Sequence, residues 1–318
     1  MKNLTVLVLL CLLSSLFGPA ATAAYAKEEK PVLKVGYLPI THSLALLVAD
    51  HLNAGKYKNL NLELVKFSSW PELIDAYSSG GIQAASELLV LALAAAERGV
   101  PESVVAISHR HGDILTAALD INSVADLKGK RVAIPHRMSV HNILLALALK
   151  KEGLTLKDVE WIELPPPDMP AALAQGNIKA YIVAEPFGAQ AILGGYGKPL
   201  LNAGEIWPNY ICCGLVVNPS FKTRYPEATK EFLDSFVAAG KFIDANRTEA
   251  IHIAREYINV EEKALEQSLT YDVTYSDLRV KPNEVERLQK YALELNLLKK
   301  PVDLNSLLDT SLVAAPDK

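Results

Sequence analysis

The sequence has only three cysteines in 318 residues, too few for a disulfide-stapled scaffold, and a chain of this length can bury a core without one. Its formal net charge of −4 gives no basic excess of the kind that nucleic-acid-binding proteins carry. After residue 26 no apolar run reaches the length of about 18 residues that a membrane-spanning helix needs. No nucleophile elbow occurs, and "GGYGKP" fails as a phosphate loop because its spacing is wrong. We therefore predict no catalytic residue, no cofactor and no nucleic-acid partner.

An apolar leader opens the chain. Lys2 precedes "LTVLVLLCLLSSLF", which has the length of a signal-peptide core and is too short to span a bilayer comfortably. Small residues follow at Ala24 and Ala26. We expect residues 1–26 to be a cleaved signal peptide, with cleavage after Ala23 as the alternative. The mature chain is then expected in the periplasm or another extracytoplasmic space.

Removal of the leader leaves two cysteines, Cys212 and Cys213, adjacent in "NYICCGLVVN". Neighbouring cysteines rarely bond to each other because the ring is strained. We expect two small buried apolar groups. A vicinal disulfide and a thiol that lines a pocket remain as alternatives.

Short apolar strands alternate with helices along the rest of the chain. The first part predicts strands at "VLKVGYLP", "NLELVKF", "IQAASEL" and "ESVVAIS", and its first two helices have Thr41 and Ser69 as predicted N-caps. The pattern restarts near residue 111 with strands at "DILTAALD", "KRVAIP", "VEWIEL" and "KAYIV". A strand at 210–218 is expected to close this second unit. Such alternation indicates parallel βαβ units and hence an α/β fold.

Two α/β units predict two lobes with a cleft between them. We expect lobe one to comprise 27–110 plus 214–318 and lobe two to comprise 111–213, with hinges near 108–114 and 211–217. Ligands of open α/β sheets bind outside the carboxyl ends of the strands. Here several strands end in polar or aromatic stretches: "LPITH", "FSSW", "ASE", "SHRHG", "IPHRMSVH" and "VAEPF". These stretches are expected to face one cleft.

A series of motifs resembles a known family. "KVGYLPITHSLALLVAD", "FSSWPELIDAYSSGGIQAA", "SVADLKGKRVAIP", "AEPFGAQA" and "IWPNYICCGLVVNPSF" occur in the order found in periplasmic solute-binding proteins of ABC transporters. The resemblance covers nearly all of residues 32–245. It is to the nitrate/sulfonate/bicarbonate branch, which includes binders of thiamine-pyrimidine precursors.

The resemblance implies a type II periplasmic binding protein fold, with two α/β lobes joined by two hinge strands around a ligand cleft. It also implies a monomer that passes a small-molecule ligand to the membrane subunits of an ABC importer. Trp70 matches a pocket-lining Ser-Trp, Glu185-Pro186 matches an acidic-Pro pair at the cleft, and Cys212-Cys213 matches a cysteine-containing strand. Related pyrimidine-synthesising enzymes carry a longer cysteine-rich stretch, so we favour a receptor and keep the enzyme as the alternative.

The candidate ligand-binding residues all stand at strand or helix ends that face the predicted cleft. They are Thr41, His42, Trp70, Ser86, Glu87, His109, Arg110, His111, Met138, Ser139 and Glu185. Thr41 and Ser139 open helices, where free N–H groups suit an anion or a polar oxygen; the alternative is that they only cap those helices. Trp70 is predicted to stack on a flat ligand, with a place in the core as the alternative.

Five of the seven histidines fall in the predicted cleft, namely His42, His109, His111, His136 and His141. One interpretation is hydrogen bonding to an anionic or heteroaromatic ligand, with Arg110 or Arg137 as charge partner. Another is a transition-metal site, in which His109 and His111 share a strand face and Glu185 or Glu87 completes the ligands. A third is that some, His136 or His141 above all, are solvated turn residues.

No metal-binding motif supports the second interpretation, so we assign no metal ligand from sequence. Glu185 is expected either to accept an N–H group of the ligand or to pair with Arg110. The ligand itself stays open among three classes: a small oxyanion or sulfonate, a pyrimidine-like molecule, and a metal or metal chelate.

Overall fold

The structure is a computed structural model, and it describes residues 29–271 and 273–313. The predicted signal peptide and both predicted cleavage positions lie outside the described residues. From Pro31 onward the chain forms two five-stranded mixed sheets with flanking helices. Within the described part of the chain, no helix has both the length and the apolar character needed to cross a bilayer.

Strands and helices alternate along the described residues. The strands are β1 Val32–Tyr37, β2 Asn61–Lys66, β3 Ala84–Leu88, β4 Ser103–Ile107, β5 Asp113–Ala118, β6 Arg131–Ile134, β7 Glu160–Glu163, β8 Ala180–Ala184, β9 Gly197–Asn202 and β10 Cys213–Val217. The helices are α1 Leu44–Asn53, α2 Trp70–Ser78, α3 Leu89–Glu97, α4 Val140–Lys151, α5 Met169–Ala174, α6 Phe187–Leu193, α7 Ala203–Ile206, α8 Pro219–Arg224, α9 Pro226–Ala245, α10 Arg247–Tyr257, α11 Glu262–Ser268, α12 Pro282–Glu294 and α13 Leu304–Leu307.

The first sheet has the strand order β2-β1-β3-β10-β4. β1 pairs in parallel with β2 and β3, because the helices between these strands return the chain to the same end of the sheet. β10 runs antiparallel between β3 and β4, with Gly214 opposite Glu87. The prediction that the strand at 210–218 closes the second unit is therefore wrong. Its segment Cys213–Val217 is buried throughout and fills the interior of the first sheet.

The second sheet has the order β7-β6-β8-β5-β9. β6 pairs in parallel with β7 and β8, whereas β5 runs antiparallel between β8 and β9. No strand is predicted at Gly197–Asn202, where Gly and Pro interrupt the apolar pattern. β9 forms there as an outer strand, the position in which Pro199 is tolerated. Both sheets thus have the same topology. In each, the strand at the fourth position of the sheet order is antiparallel to its neighbours: β10, with which the chain returns to the first sheet, and β5, with which it enters the second.

Helix packing on the first sheet fixes one loop that matters for the site. The first part of α1, Leu44–Ala49, is buried and packs against α9 and α10. On α9, Gly240 lets the main chain of Tyr275 approach so closely that a Cβ at residue 240 would collide with the Tyr275 carbonyl oxygen. Tyr275 Oη in turn donates a hydrogen bond to Thr41 O at 2.9 Å, which ties the turn after β1 to this packed region.

Candidate functional site

Six polar side chains are buried where the chain passes between the two sheets. None is more than 2% exposed; they are His42, His109, Asp113, His141, Cys212 and Cys213, and we call them the buried centre. The first sheet supplies the turns after β1 and β4, the second supplies the start of β5 and helix α4, and the cysteines lead into β10. Polar groups at this depth need partners, because an unpaired one is costly away from water.

The two imidazoles contributed by the first sheet are stacked. The ring centroids of His42 and His109 lie 3.5 Å apart with 26° between the planes. His42 Nδ1 is 3.6 Å from Cys213 Sγ, and its Nε2 is 3.6 Å from Asp113 Oδ1. His109 Nδ1 donates to His111 O at 2.7 Å, while its Nε2 has no hydrogen-bond partner.

The electrostatic surroundings of the two rings differ. Burial lowers the pKa of His109, and the neighbouring His42 imidazole lowers that pKa further. Burial also acts to lower the pKa of His42, but the Asp113 carboxylate and the Cys213 thiol beside it raise that pKa above its ordinary value. Of the two, His42 is therefore the ring more readily protonated.

Asp113 joins the two halves of the centre. Its Oδ1 accepts a hydrogen bond from His141 Nε2 at 2.7 Å, and its main-chain N–H donates to Tyr210 Oη at 2.9 Å. Burial favours a neutral carboxyl group, yet the imidazoles of His141 and His42 hold the pKa of Asp113 well below its usual range. The alternative of a solvated turn is wrong for His141, which lies on α4 and is 1% exposed.

The two cysteines are free thiols. Their Sγ atoms are 3.6 Å apart, against about 2.05 Å in an S–S bond, so the vicinal disulfide is not formed. Burial raises the pKa of Cys212 well above its ordinary value. Burial acts the same way on Cys213, but the Cys212 thiol and the His109 and His42 imidazoles hold its pKa well below the ordinary value. Cys213 is therefore the thiol that ionises first, and a thiolate is the form that binds metals.

Glu185 follows β8 and is fully enclosed. Its Oε2 accepts from Ala189 N at 2.9 Å and from Ser268 Oγ at 3.2 Å, while its Oε1 has no hydrogen-bond partner. Burial raises the pKa of Glu185 to about 7. Its main-chain oxygen accepts from Thr41 N at 2.8 Å and from Thr41 Oγ1 at 3.1 Å. The prediction of Thr41 as a helix N-cap is wrong, because its hydroxyl bonds Glu185 and α1 begins after Ser43.

Arg110 points away from Glu185, so the predicted Glu185–Arg110 pair is wrong. Its Nε donates to Asp277 O at 3.0 Å and its Nη1 to Glu284 Oε1 at 2.9 Å. Its main chain forms an isolated bridge with Thr274. This segment belongs to neither β4 nor β5, and the alternation that would put two histidines on one strand face does not exist there.

His111 lies outside the buried centre. It has a φ of 61°, and its ring stacks at 5.6 Å on that of Tyr210. Arg137, the other predicted charge partner, is exposed and pairs with Glu163 at 3.1 Å. Neither predicted arginine is thus directed at the buried histidines.

Three predicted residues on α2 and β3 are buried. Trp70 begins α2 within the hydrophobic core, and its Nε1 has no hydrogen-bond partner. Ser86 Oγ lies 3.0 Å from Ser108 Oγ. Burial, and then the Glu102 carboxyl group, raise the pKa of Glu87 well above its usual value, and its Oε1 has no partner. Their contact with a ligand stays a prediction.

Two predicted residues precede α4. Ser139 Oγ accepts a hydrogen bond from Asn142 N at 3.2 Å, so Ser139 is the N-cap of the helix. Met138 is half-buried, and its main-chain N–H donates to Nδ1 of the half-buried His136 at 3.0 Å. A role of either residue in binding stays a prediction as well.

Asp113 and the cysteine pair belong to the buried centre but are absent from the ligand-binding residues predicted from the sequence. A signal for Asp113 is present, since it is an acidic residue that opens the otherwise buried strand "DILTAA". Charged residues are almost never fully buried unless they are paired. Ser268 gave no signal, because it is one hydroxyl on a short late helix.

Two α/β sheets between which the chain crosses twice form the type II periplasmic binding protein fold. The ligand-binding component of an ABC-type import system from Staphylococcus aureus, solved with zinc bound, is similar with a TM-score of 0.84 and 30% identity over 89% of this chain and 98% of that chain. The desulfurization enzyme DszB has a TM-score of 0.66 at 17% identity over 89% of this chain and 97% of its own. The fold alone therefore does not separate receptors from enzymes.

The sequence comparison gives the family. The model of the NMT1-like family matches residues 26–259, and the chain belongs to this family. The taurine-binding periplasmic protein of Escherichia coli K12 is 30% identical over 232 residues, which is 71% of each chain. A second protein of that strain, provisionally named an aliphatic sulfonates-binding protein, is 30% identical over 211 residues, 65% of this chain and 64% of its own length. The predicted resemblance to nitrate, sulfonate and bicarbonate binding proteins is confirmed.

Proposed function

We propose that this chain is an extracytoplasmic receptor that captures a small solute and delivers it to the membrane subunits of an ABC importer. Residues 1–26 would be a signal peptide removed on export, and the mature protein would act as a monomer. Membership of the NMT1-like family supports this proposal, because the curated relatives described above are binding proteins.

Capture would use two lobes, 27–110 plus 214–318 and 111–213. The chain crosses between them before β5 and again before β10, and both crossings carry members of the buried centre. Ser108 N donates to Cys213 O at 2.9 Å, so the two crossings lie side by side in the manner of a two-strand hinge. A ligand that touches both lobes stabilises the closed form by its greater affinity for that form.

One observation carries the proposal: enclosed residues of the two proposed lobes contact one another in and beside the buried centre. Thr41 N of lobe one donates to Glu185 O of lobe two at 2.8 Å. His42 of lobe one lies 3.6 Å from Asp113 of lobe two. Contacts of this kind can form only when the two lobes are closed on each other. A ligand bound there would therefore favour the closed form, which the importer would recognise.

The charges of the enclosed groups narrow the ligand class. Glu87, Asp113 and Glu185 are each at most 2% exposed, whereas no arginine or lysine is buried among residues 29–271 and 273–313. A bare oxyanion would therefore find no enclosed arginine or lysine to offset its charge. Buried oxygens without a hydrogen-bond partner, Oε1 of Glu87 and of Glu185, suit a ligand that donates N–H groups or carries positive charge. We favour a pyrimidine-like amine or a cation over an oxyanion or sulfonate.

Thermal unfolding with a ligand panel tests the receptor. Protein purified from the extracytoplasmic fraction would be mixed with an aminopyrimidine, taurine, an alkanesulfonate, nitrate and bicarbonate. A true ligand at about 100 times its Kd adds about 2.7 kcal/mol to the free energy of unfolding, which raises Tm by several degrees. Mass spectrometry of the released ligand should find it unchanged, since the proposal includes no catalytic step.

A matched pair of variants locates the binding. Glu87→Gln changes an enclosed carboxyl group on β3, whereas Glu63→Gln changes an exposed one on β2 that pairs with Lys34. We expect the first to alter ligand affinity and the second to leave it unchanged. The receptor proposal fails if no panel member raises Tm, and it fails in favour of the enzyme if the recovered ligand is converted.

A further inference from the structure

Four side chains of the buried centre bring different donor atoms to one point. One ring nitrogen from each of His42 and His109 and the Sγ atoms of Cys212 and Cys213 all lie within 4.8 Å of one another. The Sγ–Sγ distance is 3.6 Å, and the distance from Cys213 Sγ to His42 Nδ1 is also 3.6 Å. A tetrahedral zinc ion with bonds of about 2.3 Å to sulfur and about 2.05 Å to nitrogen requires edges of about 3.8 and 3.6 Å. The donors are thus already spaced for one ion.

The second nitrogen of each ring is held in place by a main-chain oxygen. His42 Nε2 lies 3.3 Å from Gly112 O, with Asp113 Oδ1 at 3.6 Å beside it. His109 Nδ1 donates to His111 O at 2.7 Å. A ring whose one N–H is held by a carbonyl or carboxylate presents the lone pair of its other nitrogen, which is the arrangement found around metal-bound histidines.

Nε2 of His109 is the ring nitrogen that this orientation leaves available to a metal ion. His109 Nε2 is buried and makes no hydrogen bond of good geometry, although the Cys213 thiol lies beside the ring. A purely structural histidine would normally be satisfied on both nitrogens, because an unsatisfied buried polar atom is costly. A metal ion satisfies this nitrogen and both sulfurs at once.

We propose that His42, His109, Cys212 and Cys213 form a tetrahedral site for a soft d-block cation such as zinc. Two sulfurs and two imidazole nitrogens suit Zn²⁺ or Cu⁺ and exclude Mg²⁺ and Ca²⁺, which take oxygen ligands. Asp113 is a positioning residue that orients His42. All four ligands come from this chain, so metal binding can be tested independently of the proposal that the protein delivers a solute to an importer.

The donors sit on two sides of the chain crossing, and none is more than 1% exposed. An ion can therefore enter only when the structure around the donors opens locally, and its bonds then hold the turns after β1 and β4 against the start of β10. Coordination requires the thiolate form, so each bound cysteine releases a proton.

Cobalt spectroscopy tests the site directly. Reduced, metal-free full-length protein would be titrated with Co²⁺. One equivalent should produce strong thiolate-to-cobalt absorption in the near ultraviolet and intense tetrahedral d–d bands, both removed by Zn²⁺. Cys213→Ser and His109→Gln should each weaken zinc binding by more than about 100-fold, since a first ligand costs more than an outer partner does. His252→Gln, an exposed histidine on α10, is the matched control and should bind as the wild type does.

Two further variants keep the test decisive if a ligand variant fails to fold. Asp113→Asn should keep the cobalt bands and weaken zinc binding by about 10- to 100-fold, as expected for an outer partner. His141→Gln should keep them as well, because His141 is not one of the four proposed ligands and shares only Cys212 with them in its own donor group. Loss of the bands in His141→Gln with retention in His109→Gln would overturn the assignment, as would a folded wild type that gives no thiolate-to-cobalt band. A ligand-induced rise in Tm that persists in such a protein would leave the receptor proposal intact.

Discussion

His109 and Arg110 are neighbours in the chain but belong to two different polar clusters. His109 lies in the buried centre, whereas Arg110 belongs to an outer cluster that comprises Arg110, Asp277, Arg279, Lys281 and Glu284. In the outer cluster Arg110 Nη1 is 2.9 Å from Glu284 Oε1, and Lys281 Nζ is 2.9 Å from Asp277 Oδ2. Both clusters pair acidic groups with nitrogen groups at similar distances, so geometry alone does not separate them.

The two clusters differ in their exposure to solvent. Side chains of the outer cluster are 12–37% exposed, so water and salt screen their attraction. In the buried centre the same attractions act without water, and removal of one partner leaves another group uncompensated. The comparison predicts that equal substitutions in the two clusters have unequal effects.

The largest effect is expected for Asp113→Ala, which leaves the enclosed imidazoles of His42 and His141 without their carboxylate. We expect a loss of about 3–5 kcal/mol in the free energy of unfolding, measured with urea at pH 7. Because the folded pKa of Asp113 is lowered, its contribution is present above the ordinary value near 4 and is lost as pH falls below it. Asp120→Ala, just beyond the other end of β5, is the control and should unfold as the wild type does. Equal losses in both variants would contradict the comparison.

A somewhat smaller effect concerns pH at Glu185, an enclosed carboxyl group without a cation. Its pKa of about 7 means that the folded protein keeps a proton that the unfolded chain has lost. Stability from this group is therefore highest below about pH 4.5 and falls by about 3 kcal/mol as pH rises to 7. Glu185→Gln should lose this decline, seen as a difference in pH slope between variant and wild type in urea unfolding. Parallel slopes between pH 4.5 and 7 would show that the carboxyl group is ionised without cost.

The smallest effect is expected in the outer cluster. Asp277→Asn should lower the free energy of unfolding by about 1 kcal/mol or less, because its partners remain solvated. In 1 M NaCl, where the Debye length is about 3 Å, the difference should shrink further. Asp113→Ala measured in the same salt should keep most of its effect. If the loss of unfolding free energy in Asp277→Asn does not depend on salt, the two clusters do not differ in solvent screening.

The sequence predicts the architecture better than the site. Strands alternating with helices, together with family motifs, predict the two α/β units, since that pattern is local. Which strands pair depends on residues far apart in the sequence. β10 has the composition of any buried strand, and it pairs where it does because β3 and β4 leave a position between them. For the same reason β9 was missed, because an outer strand tolerates Gly197 and Pro199.

The direction in which polar side chains point is likewise not predictable from the local sequence. "SHRH" predicts that polar groups end a strand, but not that His109 turns inward while Arg110 turns outward. That difference depends on Thr274 and Glu284, which come far later in the chain. Cys212 and Cys213 have the composition of core residues, and only the return of β10 brings them to His42, 171 positions from Cys213.

The place of β10 between β3 and β4 also matters while the protein is being made. A nascent chain that stops before Cys213 has β3 and β4 with facing edges unpaired, each a row of free N–H and C=O groups that can recruit a strand from another molecule. The first four strands are therefore no independent folding unit. Truncation anywhere within the second sheet would leave these edges unpaired, and the first sheet is completed only once Cys213–Val217 has emerged.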